Sequence, residues 1–283
     1  MTNQIHPFDL VILDLDGTIL DLYKSAEFSP AVVEAVAAVQ AIGIPVTIGT
    51  GRAFQYVREY ARKLAITTPV VTTQGAVVGD PVSGHVLAET RLPLTAARRA
   101  AAWFDQQERV TAFYFTNDDG TVTIYQNSDG TDPEFYEHVF GAGRILQATF
   151  APLIAGADPH LPVKFITIDN PQAGDNVEPA LRALLSDELY ITRTHPLLVE
   201  GTAQGVDKGQ GVRRMLQMLD IDPQRVLAIG DSDNDIPMLE AVGFAVAMGN
   251  ASPGVRAVAD WVAPSIDEDG AAAALRKFIL DVG

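Results

Sequence analysis

No cysteine occurs anywhere in the 283-residue chain, which excludes disulfide bridges, thiolate metal centres and a cysteine nucleophile. Basic residues are scarce: 20 Lys and Arg stand against 36 Asp and Glu, for a formal net charge of −16. A chain this acidic does not adhere broadly to nucleic acid or to anionic membrane, so neither is expected as a partner. An anionic substrate then needs a local basic pocket or a metal ion. No apolar run is long enough to span a bilayer, and the polar residues 1–7 show no signal peptide, so a cytoplasmic location is the default expectation. The five histidines, His6, His85, His138, His160 and His195, show no ligand spacing and are expected to be structural or at the surface. Gly201 to Gly209 holds glycines and a lysine without the spacing of a nucleotide phosphate loop. No internal repeat is present. The remaining composition, 47% hydrophobic and 20% charged, is that of an ordinary globular protein long enough for two domains.

What is there starts with Phe8 to Thr18, where an apolar run ends in Asp14-Leu15-Asp16-Gly17-Thr18. The run reads as a buried strand, with two carboxylates two residues apart at its C-terminal end. If the chain stays extended there, both point to one side and repel unless a cation or a shared proton compensates. Alone, the stretch reads equally well as a strand followed by an Asp-Gly turn. Ser29-Pro30 predicts a helix start, with Ser as cap and Pro in the first turn. A helix to Ala41, a strand Ile44 to Ile48 ending in Gly49-Thr50-Gly51-Arg52, a helix from Ala53 and a strand Val70 to Thr72 continue an alternation that predicts a parallel α/β sheet. From Asp80-Pro81 onward the pattern changes to hairpins joined by helices. Asn117-Asp118-Asp119-Gly120 between two β-like runs is its strongest hairpin signal. The α/β rhythm returns with a helix Asp207 to Leu219 and a strand Arg225 to Ile229 that ends in Gly230-Asp231-Ser232-Asp233-Asn234-Asp235. An inserted α+β unit from roughly Pro81 to Arg193 is therefore expected.

Four places carry chemistry: Asp14 with Asp16, Thr50, Lys208, and Asp231 with Asp235. Taken singly, each has a bland alternative. Thr50 is a helix cap, Lys208 a solvated helix residue, and Asp231-x-Asp233-x-Asp235 the start of a calcium loop. That loop fails, because its sixth position is Ile236 and its twelfth Val242. Taken together, three of the four lie at predicted strand ends. Parallel strands lie about 4.8 Å apart, so adjacent ends can address one small ligand. Carboxylates from two strands suit a hard cation, Thr50 with glycine amides suits phosphate oxygens, and Lys208 supplies a fixed positive charge. The set reads as a phosphoryl-transfer site with a carboxylate nucleophile.

In their order and spacing, Asp14-Leu15-Asp16-Gly17-Thr18, Gly49-Thr50-Gly51-Arg52, Lys208-Gly209 and Gly230 to Asp235 resemble the motifs of the haloacid dehalogenase superfamily. The long insertion resembles the cap of its Cof-type, or type IIB cap, phosphatases. The resemblance implies an α/β fold with a Rossmann-like parallel-sheet core (1–81 and 194–283) and an α+β cap that sets specificity (82–193). It implies Asp14 as the nucleophile that becomes an aspartyl-phosphate, and Asp16 as the acid that protonates the leaving oxygen and then activates water. Mg²⁺ is implied on Asp14, the Asp16 backbone carbonyl and Asp231, with Asp235 behind or through water. Thr50 and Lys208 are implied to hold the phosphate, and Gly51, Arg52 and Asn234 to contact substrate. Many relatives carry Asn-Gly where this chain has Gln74-Gly75.

The expected activity is Mg²⁺-dependent hydrolysis of small phosphorylated metabolites such as sugar phosphates, by a monomer or homodimer. A phosphotransferase or sugar phosphomutase would use the same site, and a non-catalytic phospho-acceptor or ligand-binding module is the alternative from another class. Lys164, a cation inside an apolar strand, is the cap residue singled out as a substrate contact. Hinges are expected near Val82 and between Arg193 and Val199, and Trp103 and Trp261 are expected to be packing residues.

Overall fold

The computed structural model describes residues 7–21, 27–130, 132–170 and 174–281; His6 and the side chain of His138 lie outside the described residues. The first part of the chain runs β1 (Leu10–Leu13), α1 (Pro30–Ala41), β2 (Val46–Ile48), α2 (Phe54–Lys63) and β3 (Val70–Thr72). Ser29 caps α1 as expected: its hydroxyl accepts the amide of Val32 at 3.2 Å, and Pro30 occupies the first turn. After β4 (Val77–Gly79) and β5 (Val86–Glu89), the chain forms α3 (Leu94–Phe104), β6 (Thr111–Thr116), β7 (Val122–Gln126), α4 (Pro133–Phe140) and β8 (Ile145–Leu146). It continues with β9 (Lys164–Ile168), α5 (Glu178–Leu185), β10 (Leu189–His195) and β11 (Leu198–Ala203). The last part comprises α6 (Lys208–Leu219), β12 (Val226–Gly230), α7 (Ile236–Leu239), β13 (Phe244–Ala247), α8 (Pro253–Val258), β14 (Trp261–Val262) and α9 (Gly270–Leu275).

The first and last parts share one five-stranded parallel sheet, in the order β14-β13-β12-β1-β2. β3 extends it through a parallel bridge between Gly49 and Val71. From β1 the chain moves outward through β2 to one edge; from β12 it moves outward through β13 to the other. The strand order thus reverses between β1 and β12, which is where open α/β sheets leave a crevice beyond their carboxyl ends. β1 and β12 are buried on both faces, which is why their sequences are near-continuous apolar runs.

The second sheet has six strands, β10-β11-β9-β6-β7-β8, all antiparallel except the β7–β8 pair. The hairpin expected at Asn117–Gly120 joins β6 to β7, with Asn117 and Thr121 closing the turn. This sheet has two unlike faces, as strand alternation dictates. Phe113, Phe115, Phe165 and Val199 pack with Ala96, Ala100, Phe104, Leu181 and Leu185 of α3 and α5. Their neighbours Ala112, Tyr114, Lys164, Ile166 and Glu200 are also buried, on the face turned to the parallel sheet.

Sheet pairing runs differently from the expected division. β4 and β5 pair with β3, so residues up to Glu89 belong with the first part and not with the insertion. β11 pairs with both β9 and β10, so the insertion continues to Ala203. Arg193 and Val199 are register partners in the β10–β11 hairpin, and Val82 lies in the β4–β5 turn. Neither expected hinge position joins the two parts, and the chain crosses between them at 90–93 and 204–207 instead. Thr95 lies within α3, its hydroxyl bonded to Glu188. The last helix gives way to a wider π-turn at Arg276–Leu280. Trp103 and Trp261 pack edge-on against Phe104 and Phe278 as expected. Among the described residues no helix is long and apolar enough to cross a membrane.

Candidate active site

The end of β1 delivers Asp14 into the crevice, its amide still bonded to the Ile229 carbonyl of β12 at 3.0 Å. The chain then turns. Gly17 adopts φ +87°, and a Cβ there would collide with the Asp231 carboxylate, so only glycine fits. The turn separates the two acids that an extended chain would have kept side by side. The Asp14 carboxylate is 3% exposed and faces Lys208, whereas the Asp16 carboxylate is partly exposed and faces Arg52.

Lys208 is the first residue of α6, whose end is capped by the Asp207 side chain accepting the Gln210 amide at 2.7 Å. Its ammonium, 2% exposed, donates to Asp14 and to Asp235, both at 2.6 Å. The other oxygen of Asp235 accepts the amides of Asp231 at 2.9 Å and Ser232 at 3.0 Å. Asp235 is thereby fully engaged as a structural hub. Among the described residues the Asp231 carboxylate has only longer contacts, from the hydroxyls of Thr18 and Ser232 at 3.2 Å each and from the Asn250 amide at 3.5 Å. Gly75, at φ +90°, lets the loop after β3 press against the Asp207 carbonyl, where any side chain would clash.

Asp14, Asp231 and Asp235 each bring a carboxylate oxygen within 4.8 Å of the others. Burial, then the neighbouring Asp235 charge, holds the Asp14 carboxyl well above the ordinary range, although Lys208 pulls it down. Burial and Asp235 likewise push Asp231 up to about 7. Burial opposes the Lys208 charge, but Asp14 and Asp235 outweigh it and raise its pKa. Three acids against one ammonium leave excess negative charge in a dry site. The all-oxygen donors and the loosely held Asp231 fit a hard divalent cation.

The remaining expected residues surround this cluster. Arg52 grips Asp16 through two guanidinium nitrogens, at 2.9 and 2.7 Å, and lies over the Tyr60 ring with a further bond to its hydroxyl at 2.9 Å. Thr50, 1% exposed, follows β2; its hydroxyl oxygen accepts the Arg52 amide at 3.2 Å. Asn234 donates to Gln74 at 3.0 Å, and its own buried carbonyl oxygen has no protein partner among the described residues. The Gly51 carbonyl accepts Lys164 at 2.9 Å. Lys164 also pairs with Glu200 at 2.6 Å and faces the Tyr114 ring, so its ammonium is already used and not held ready for substrate. Glu200, Asn250 and Tyr60 are participants outside the expected motifs, while Thr18 and Ser232 lie inside them without an assigned role. For Glu200 the available signal was the one that marked Lys164, a charge inside an apolar strand.

With this geometry in place, comparison with known proteins is unambiguous. The sequence profile of the haloacid dehalogenase-like hydrolases matches residues 11–275. The chain is 29% identical over 274 residues to 5-amino-6-(5-phospho-D-ribitylamino)uracil phosphatase YcsE of Bacillus subtilis, covering 96% of each chain. It is 26% identical to the phosphoglycolate phosphatase of Methanothermobacter thermautotrophicus, covering 95% of this chain and 98% of that one. Among solved structures, the phosphatase BT1666 of Bacteroides thetaiotaomicron superposes with a TM-score of 0.79 at 26% identity, covering 98% of this chain and 97% of that one. The subclass IIB sugar phosphatase BT4131 shares the fold, with a TM-score of 0.77 at 22% identity and coverage of 95% and 98%. The chain belongs to the haloacid dehalogenase-like hydrolases, and within them to the Cof-type phosphatases, which are phosphoric monoester hydrolases. The expected parallel-sheet core with an inserted α+β cap is the fold observed.

Proposed function

We infer that this phosphatase hydrolyses small phosphorylated metabolites with Mg²⁺, through an aspartyl-phosphate on Asp14. The observation that carries the reading is the Asp14–Lys208–Asp235 chain beside Asp231, with a second acid, Asp16, turned away from that cluster. Asp14, the Asp16 backbone carbonyl and Asp231 would hold the metal, with Asp235 behind them. When bound, the ion neutralises the phosphate oxygens and brings the phosphorus close to an anionic nucleophile.

Asp14 attacks phosphorus through a carboxylate oxygen, and the bond from phosphorus to the leaving oxygen breaks. Lys208 holds the attacking carboxylate in place and offsets charge as the phosphoryl group arrives. The Thr50 hydroxyl, whose oxygen already accepts from Arg52, is free to donate to a phosphate oxygen. Asp16 gives its proton to the leaving oxygen and then takes one from the water that opens the aspartyl-phosphate. In the resting site Arg52 grips both Asp16 oxygens, so one of them must leave that grip and take a proton from solvent before Asp16 acts as the acid. The substrate enters between the two sheets, beneath an insertion that we take as a cap spanning roughly 93–203. The names of the relatives, a phosphoribitylamino-uracil phosphatase and a phosphoglycolate phosphatase, support a small phosphomonoester as substrate.

The test is purified protein with Mg²⁺ and a panel of phosphorylated metabolites, assayed for free phosphate and for rearranged product. Release of phosphate that Asp14→Asn abolishes is the expected result. Persistent release in that variant overturns the nucleophile assignment, and a phosphate moved within the substrate identifies a mutase.

A further inference from the structure

The second sheet reaches the site through a buried carboxylate, Glu200 on β11, and its partner Lys164 on β9. One Glu200 oxygen accepts Lys164 at 2.6 Å; the other accepts Gln74 at 3.2 Å and Thr194 at 2.7 Å. From there two branches run into the parallel-sheet part. Lys164 passes on to the Gly51 carbonyl at 2.9 Å, between Thr50 and Arg52. Gln74 uses its other amide atom to accept Asn234 at 3.0 Å, next to the hub Asp235. Each branch ends on a different loop of the site, one on the phosphate side and one on the metal side.

The Gln74 branch starts from a backbone that needs support. Thr73 and Gln74 have φ of +56° and +57°, a region that side-chain-bearing residues rarely adopt. Gln74 is nonetheless 4% exposed and bonds at both ends of its amide, while its backbone N–H reaches the Thr50 carbonyl at 3.3 Å and that of Thr73 reaches Arg52 at 2.8 Å. The strained turn is therefore stitched to the Thr50–Arg52 loop and held from above by Glu200.

Resting on the phosphatase reading above, we propose that Glu200, Lys164 and Gln74 form a positioning relay through which the docked insertion sets the Gly49–Arg52 loop and the Asp231–Asp235 loop in register. None of the three touches the reacting atoms in this role. Their effect falls on kcat, because the register of the two loops decides how Thr50 and Asp14 meet the phosphoryl group. The relay is distinct from the other seam between the two parts, where Tyr56 of α2 donates to the Ala142 carbonyl at 2.6 Å and Gln55 accepts the Val122 amide at 2.8 Å. That seam holds the insertion down without reaching either loop.

The experiment compares Glu200→Gln, Gln74→Ala, their double variant and Tyr56→Phe, with p-nitrophenyl phosphate and Mg²⁺. Each relay variant is expected to lower kcat roughly tenfold, the cost of one broken hydrogen bond to a charged group, and the double variant to lose no more than about the larger single loss. Tyr56→Phe is expected to keep wild-type kcat. Additive losses, unchanged kcat in the relay variants, or an equal loss in Tyr56→Phe each overturns the relay. Hydrogen exchange supplies a readout that does not depend on turnover. Amides of residues 49–53 and 231–235 are expected to exchange faster in Glu200→Gln, and unchanged exchange in both loops overturns the proposal. Wild-type protein that hydrolyses no phosphate ester refutes the functional reading instead, while the exchange measurement still judges the relay.

Discussion

The two sheets deliver functional side chains in opposite ways. In the parallel sheet, Leu10–Leu13 and Val226–Gly230 are buried throughout and do no chemistry; Asp14 and Asp231 come just after the strands end. In the antiparallel sheet the polar groups belong to the strands themselves, Lys164 opening β9 and Glu200 lying within β11. Lys164 and Glu200 are 2% and 4% exposed, and they sit one position from Phe165 and Val199, which face the helices instead. The reason is how each sheet is covered. A parallel sheet packed on both faces can admit polar groups only at its open end, where the reversal of strand order leaves a crevice. An antiparallel sheet packed by helices on one face can offer alternate residues of the other face to a ligand site.

On the proposed function the strand-end set is the chemical centre and the buried Lys164–Glu200 pair its support, and four experiments can break that division. The largest effect is expected at the strand end: Asp14→Asn should lower phosphate release by at least roughly 10³-fold while the protein stays folded, as read by steady-state kinetics and circular dichroism. Next comes the buried Lys164–Glu200 pair. Lys164→Met leaves Glu200 buried without its cation and should destabilise the protein by about 3–5 kcal/mol in urea melts. Lys164→Met with Glu200→Leu should recover much of that loss, and failure to recover would mean that packing, not charge, sets the penalty.

The third experiment titrates the strand-end acids. Burial raises Asp14 and brings Asp231 to about 7 from an ordinary 3.8, so the folded metal-free protein keeps protons that the unfolded chain has released. A carboxyl raised on folding stabilises least once it ionises, so metal-free stability should fall as pH rises from the ordinary carboxylate range to about 7. Mg²⁺ needs these groups ionised, and at a hundredfold excess over its Kd it should restore about 2–3 kcal/mol, more at pH 8 than at pH 5. A thermal melt with equal Mg²⁺ stabilisation at both pH values would remove Asp14 and Asp231 from the metal site. The smallest effect is expected from Thr194→Val, which deletes one of the donors to Glu200 and should cost about 1 kcal/mol with kcat within a factor of two to three.

Sequence alone marked the strand-end residues because each of their motifs is a local pattern. An apolar run, then acids, then glycine marks a strand that stops, and Asp207 before Lys208-Gly209 marks a helix that starts. Ser29-Pro30 and Asn117–Gly120 were legible for the same reason, since caps and turns are decided by neighbours in the chain. Tertiary structure decided which sheet each strand joins, because β5 and β11 look alike as strands and only their pairing partners assign them to different sheets. It also decided which way the acids face, because the turn at Gly17 is shaped by Asp231, more than two hundred residues away. Gln74 was noticed as a departure from a motif, yet its meaning rests on Glu200, 126 residues further on. Strand alternation tells which residues share a face, but the face that meets the site is chosen by how the two sheets stack, and no local pattern encodes that choice.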